Sequence, residues 1–169
     1  MVRPVPPCVR ARFTPETFAM RALSVDIVSD VVCPWCFIGI GRLESALEAV
    51  AKRVKTTLRY RPYMLEPLCP PEGVDVRESL SRKHGTDPEV MLAEVEAAAR
   101  RTGIPLDYSR VRRSLPTLRA HTLLRHAIAK GTQPGLAKAL FAAYFLEGMD
   151  ISDVDVLVRV AEGHGFRAN

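Results

Sequence analysis

Leu23-Ser24-Val25-Asp26-Ile27-Val28-Ser29-Asp30-Val31-Val32-Cys33-Pro34-Trp35-Cys36-Phe37-Ile38-Gly39 changes period part-way along, and that change decides the fold. As far as Ser29, apolar and polar residues alternate with the two-residue period of a half-buried strand. The alternation stops at the Asp30-Val31-Val32 turn. From Pro34 the apolar positions Ile38, Leu43, Leu47 and Val50 follow a helical spacing down to about Arg53. Pro34 suits the first helical turn, where its missing N–H costs nothing. Residues 54–61 then read as a second strand, with Leu58 and Tyr60 on one face. A strand–helix–strand unit of this kind normally places its two strands parallel in one sheet.

Beyond it the chain turns helical. Pro62, Pro67, Pro70 and Pro71 make residues 62–74 a loop. A short helix is expected over 76–84, stopped by Gly85. Asp87 caps the next, with Pro88 at its first position and Gly103 closing it. A third spans 118–130 between Pro116 and Gly131, and a very apolar fourth covers 136–147 before Gly148. Ser152 is the expected cap of a fifth, with Asp155 in the capping-box position and Gly163 at its end. The fold class is therefore α/β, a strand–helix–strand unit followed by a run of helices over about 75–165. A two-stranded sheet cannot bury both its faces by itself. Either the helices cover it or further strands are missing after Asn169.

At 169 residues and 47% hydrophobic, the chain suits one domain with a real core. No apolar stretch is long enough to span a bilayer, so no membrane partner is expected. The formal charge of +5 raises the question of nucleic acid. Aromatic residues do not interleave with the basic ones, and the densest cluster, Arg110, Arg112 and Arg113, reads as a solvated face. Residues 1–22 contain Pro4, Pro6, Pro7 and Pro15, a single acid, Glu16, and no apolar period. They read as a disordered leader or a start placed upstream of the true one, for which Met20 is the natural candidate. An arginine-rich transit peptide is the competing reading, opposed by the prolines. With no secretory signal visible, a cytoplasmic location is expected, where a dithiol is kept mostly reduced.

The chemistry lies in Cys33-Pro34-Trp35-Cys36. This spacing puts two sulfurs about one helical turn apart, within disulfide reach. Cys33 falls at a helix N-terminus, where unpaired N–H groups and the helix dipole favour a thiolate. Cys33 is thus expected as the exposed nucleophile and Cys36 as the buried resolving thiol, with Pro34 and Trp35 stiffening the loop and tuning its potential. A zinc site would need a second pair or two histidines close by; Cys69, His84 and His121 lack ligand spacing, so no metal is expected. His121 and His126 do not share a helix face and read as ordinary helix histidines. Cys8 and Cys69 read as free thiols, and the apolar run 136–146 as a buried helix or the wall of a substrate groove.

Residues 25–39, together with Arg61-Pro62-Tyr63, Pro71-Glu72-Gly73-Val74, Ala120-His121, Ala139-Leu140-Phe141 and Ala143-Tyr144-Phe145, resemble the DsbA-like thioredoxin family. They are most similar to its FrnE-like branch, related to 2-hydroxychromene-2-carboxylate isomerases and kappa-class glutathione transferases. The resemblance runs from about Leu23 to Gly165 and implies residues 23–169 as one domain of thioredoxin-like fold, with the helices over about 75–165 as an insertion. It implies a dithiol–disulfide oxidoreductase acting on protein or small-molecule thiols and disulfides, with glutathione as a redox partner and no bound cofactor. The isomerase branch carries serine at the first cysteine position, so Cys33 favours redox work. Two alternatives remain: a glutathione-dependent isomerase or transferase, and a non-catalytic fragment that binds partners through its helices. Two departures stand out. Pro116 replaces a common asparagine, and the chain reads as cut short, without the later strands, final helix and cis-proline loop of the family.

Overall fold

The computed structural model describes residues 20–167. Strand β1 (Arg21–Ser29) leads into helix α1 (Pro34–Val50) and strand β2 (Val54–Pro62). The two strands pair in parallel, with Val25 opposite Leu58 and Ile27 opposite Tyr60. Pairing starts at Arg21 opposite Val54, so the strand takes in two residues assigned to the leader from sequence. Arg21 N–H also bonds the Arg53 carbonyl, which fixes that start. Residues 1–19 of the leader, with Cys8, lie outside the described residues.

The register sorts the two sheet faces. Ile27, Leu58 and Tyr60 face inward and join the core. The other face carries Ser24, Asp26, Arg59 and Arg61, where Asp26 pairs with Arg59 at 3.5 Å and Arg61 at 3.2 Å. That face is open but mostly polar, so its exposure costs little.

After the proline loop, β3 (Val74–Asp75) pairs antiparallel with β4 (Arg113–Ser114), a two-residue ladder too short to leave a periodic trace in the sequence. Gly73 precedes it at φ +73°, and a Cβ there would lie 2.6 Å from the Ser114 carbonyl oxygen. Only glycine fits that approach. The helices follow as α2 (Val76–His84), α3 (Pro88–Arg100), α4 (Leu118–Lys130), α5 (Gln133–Phe145) and α6 (Val154–Glu162). Asp75 and Asp87 cap α2 and α3 by accepting first-turn N–H bonds. Two expected boundaries shift. Helix α5 opens at Gln133, because Pro134 fits its first turn. Asp153, not Ser152, caps α6, accepting from Asp155 N–H at 2.8 Å. Ser152 N–H instead bonds the Asp150 carboxylate at 2.8 Å.

The core centres on α5. Leu136, Leu140 and Phe141 are fully buried and Phe145 nearly so. The run read as either buried helix or groove wall is therefore chiefly core. Phe37 of α1 stacks on Phe141 at 5.2 Å and on Phe145 at 5.7 Å. Each such ring contributes about 1.5–3 kcal/mol by burial. The helix that Cys33 caps and that carries Cys36 is thus seated directly on α5.

Gln133 at the start of α5 closes the outer edge of β2. Its Oε1 accepts from Tyr60 N–H at 3.0 Å, and its Nε2 donates to the Tyr60 carbonyl at 3.0 Å. Gln133 is 4% exposed and Tyr60 5%, so neither backbone group has water as a substitute. Replacing Gln133 by alanine should cost about 2–4 kcal/mol, the penalty of two orphaned buried groups. Urea denaturation of Gln133→Ala measures it; a loss under about 0.5 kcal/mol would show that water reaches this edge.

Candidate functional site

Cys33 is the N-cap of α1. Its backbone is extended (φ −90°, ψ 111°), and its Sγ accepts the Cys36 N–H at 3.4 Å. The Asp30 carbonyl in turn accepts the Cys33 N–H at 3.0 Å, closing the turn between β1 and the helix. Both thiols are free and half-buried, while Trp35 is exposed. The switch from strand to helix read in the sequence thus puts one sulfur on the helix N-terminus and the other one turn along.

Interaction between the two sulfurs dominates their ionisation. It brings Cys36 down from 9.0 to about 6. The same interaction, followed by burial, pushes Cys33 up. The lowered value thus falls on Cys36 and not, as expected, on Cys33, and the two titrate as a coupled pair. The Cys36 N–H aimed at Cys33 favours negative charge there, as does the Asp30 charge opposing it beside Cys36. The lowered Cys36 ionisation favours the folded dithiol as pH rises from about 6 towards 9.0, and that gain is lost as pH falls through about 6; above 9.0 the raised Cys33 opposes it.

Behind the motif lies a buried pair that local sequence patterns do not reveal. Asp30, 2% exposed, holds His121 Nε2 at 3.1 Å through Oδ1. Its Oδ2 accepts the Leu65 N–H at 2.8 Å. His121, on α4, is itself buried and is no ordinary surface histidine. His126 is exposed, as its place on the helix implied. The only sequence signal for His121 was the Ala120-His121 segment among those carrying the family resemblance.

A cavity of about 470 Å³ opens beside Cys33 and Trp35, walled by α2, α3 and two tyrosines. Leu80, Met91 and Val95 make it largely apolar. At its rim Glu66 takes a 2.6 Å contact from Lys83 and a 3.0 Å hydrogen bond from Ser79. Burial pushes the Glu66 carboxyl up, but these two donors bring it below the usual carboxylate range. Tyr144 donates to the Arg113 carbonyl at 2.8 Å. Tyr108, which also lines the cavity, has no such partner among the described residues. Nothing in the sequence singled it out.

The remaining candidates are dispersed. His84 lines the cavity, Cys69 contacts the Ser114 carbonyl at 3.5 Å, and His121 is held by Asp30. Among the described residues no cluster of histidine, cysteine or acid is placed to hold a metal ion. Arg110 and Arg113 donate to the Leu146 and Gly73 carbonyls at 3.0 and 2.9 Å, while Arg112 is exposed. The described helices include none long and apolar enough to cross a membrane.

A model of the DSBA-like thioredoxin domain matches residues 24–169. The chain belongs to that family. This DSBA-like domain is 31% identical to a crystal structure of a probable DsbA oxidoreductase from Streptomyces coelicolor, at a TM-score of 0.76. That match covers 86% of this chain and 64% of the other. A crystal structure from Nitrosomonas europaea, provisionally assigned as a protein disulfide isomerase, shares the fold at 16% identity and a TM-score of 0.56, over 85% and 65% of the two chains. The uncharacterized protein YwbO of Bacillus subtilis is 24% identical over 84% of this chain and 66% of its own length. The DSBA-like domain thus spans just under two thirds of the length of these relatives.

Alkylation of the reduced domain by iodoacetamide should titrate with a midpoint near 6 rather than 9.0. A midpoint near 9.0 would show that neither thiol is lowered by the other. The His121→Ala variant removes one of the groups holding the buried Asp30 carboxylate and should lower stability by about 3 kcal/mol. Denaturant titration near neutral pH checks this, and an unchanged midpoint would mean that water takes the place of His121.

Proposed function

We propose that the domain is a thiol–disulfide oxidoreductase of the FrnE-like branch, with Cys33 as nucleophile and Cys36 as resolving thiol. The observation that carries this reading is the pair of free thiols one helical turn apart, the first of which caps α1 and accepts the Cys36 N–H at 3.4 Å. In the reducing direction, Cys33 as thiolate attacks one sulfur of a substrate disulfide. The Cys33–sulfur bond forms as the substrate S–S bond breaks, and the departing sulfur leaves with the electron pair and takes a proton. Cys36, deprotonated in its turn, attacks Cys33 and releases the second substrate thiol. The domain ends as a Cys33–Cys36 disulfide and the substrate as two thiols; reversal oxidises a substrate dithiol. Pro34 and Trp35 set the loop between the sulfurs and so tune the potential. Protein and small-molecule thiols are the substrates in this reading, with glutathione as a redox partner and no bound cofactor.

A lowered thiol ionisation supports the reading because it stabilises the dithiol form and makes the disulfide form more oxidising. Cysteine at position 33 favours exchange over the glutathione-dependent isomerase alternative, which the family resemblance links to serine there.

Equilibration against a glutathione series, followed by thiol trapping, should give one two-electron transition that disappears in Cys33→Ser. The Cys36→Ser variant should accumulate a mixed disulfide with glutathione on Cys33, visible by mass spectrometry. Two thiols that oxidise independently, or modification of Cys69 in preference to Cys33, would overturn the assignment.

A further inference from the structure

We propose that Tyr108 is a catalytic hydrogen-bond donor, holding the sulfur that departs when Cys33 attacks a disulfide. This deepens the exchange reading above and rests on it.

Tyr108 is 5% exposed, and its ring packs edge-on against Phe145 at 6.5 Å. A phenol buried to this degree ordinarily has a partner for its hydroxyl. Neighbouring Tyr144 has one, the Arg113 carbonyl at 2.8 Å. Tyr108 has none among the described residues, yet no fully buried side-chain oxygen lacks a partner. Its hydroxyl is therefore not sealed off, and Tyr108 lines the same cavity as Cys33. The core holds the ring, and its one polar atom is left for whatever occupies that space.

The position of the hydroxyl relative to Cys33 selects its role. Tyr108 is not among the groups that hydrogen-bond the Cys33 thiol, whose partners are Cys36 and the Trp35 and Cys36 backbone. It lies near enough to feel the Cys33 charge, which together with the larger effect of burial pushes its phenol up. The phenol thus stays protonated and able to donate. Attack on a disulfide runs nearly in line, so the departing sulfur sits roughly two S–S bond lengths from the attacking one, about 4 Å. A donor close to Cys33 but out of hydrogen-bond contact with it is suited to that second sulfur.

The need for a donor follows from the cavity. As the Cys33–substrate bond forms and the substrate bond breaks, the electron pair and its charge move to the departing sulfur. Leu80, Met91 and Val95 offer that charge nothing. Lys83 at the rim is already engaged by Glu66. The Tyr108 O–H supplies the hydrogen bond and keeps its proton, while the departing thiolate is protonated on reaching water. Such donors act where charge develops, and they matter most when water is excluded.

The test compares wild type and Tyr108→Phe, which keeps the ring and removes only the hydroxyl. Rates of reduction are measured for hydroxyethyl disulfide, with a basic alkyl leaving thiolate, and dithiobis-nitrobenzoate, with a weakly basic aryl one. Loss of the donor should slow the alkyl disulfide about ten-fold and leave the aryl disulfide nearly unchanged. The pH profile of Cys33 alkylation should not move. An equal slowing of both disulfides, no slowing of either, or a shifted alkylation profile would each overturn the leaving-group role. Wild-type protein no faster than Cys33→Ser would sink the exchange chemistry itself, and this assignment with it.

Discussion

Asp30 is the constraint on which the site depends. Its carbonyl receives the Cys33 N–H, one carboxylate oxygen holds His121 of α4, and the other holds the Leu65 N–H. Three stretches far apart in sequence, around residues 30–33, 65 and 121, therefore meet at one residue that is 2% exposed. A carboxylate costs several kcal/mol to bury without partners, so these bonds are required wherever the residue is dry. The strand end, the cysteine turn, the proline loop and the insertion cannot shift independently without exposing or orphaning it. The carboxylate also sits near enough to Cys36 for its charge to oppose ionisation there, which links the geometry of the insertion to the chemistry of the thiols.

Hydrophobic packing reinforces the same arrangement from the other side. Phe37, the residue after Cys36, stacks on Phe141 and Phe145 of α5. Helix α1 is thus held at its N-terminus by polar bonds and along its first turn by aromatic stacking. The cavity beside Cys33 is the gap left between this fixed turn and helices α2 and α3. Its walls come mainly from the insertion, while its reactive atoms come from the strand–helix–strand unit.

Much of this was legible in the residues themselves. The switch of period between Ser29 and Pro34 located β1, the cysteine turn and α1, because strand and helix periods depend only on local backbone geometry. Asp87, Pro88 and Gly131 marked helix ends through equally local chemistry. The missed features are those set by distant contacts. The β3–β4 ladder joins residues about forty positions apart with two residues on each side, too few to show a period. His121 lies 91 residues from Asp30, and Tyr108 matters only for the atom it leaves unpaired in a cavity. The α6 cap moved by one residue because Asp150, Ser152 and Asp153 are all capping types, and their local bonds decide between them. For the ladder and for His121 the deciding term is a tertiary bond that local patterning does not carry.

The Gln133 side chain gives the sheet a direction. At Tyr60 its amide occupies both positions through which a neighbouring strand would bond β2. A primary amide has the same donor and acceptor as a peptide unit, so it stands in for one rung of a ladder and ends it there. β1 has no such stopper among the described residues, and its last residues run straight into the cysteine turn. Lateral growth of this sheet is therefore polar. A strand arriving from elsewhere in a longer chain, or from an extended substrate, finds its unblocked edge on the side that leads to Cys33.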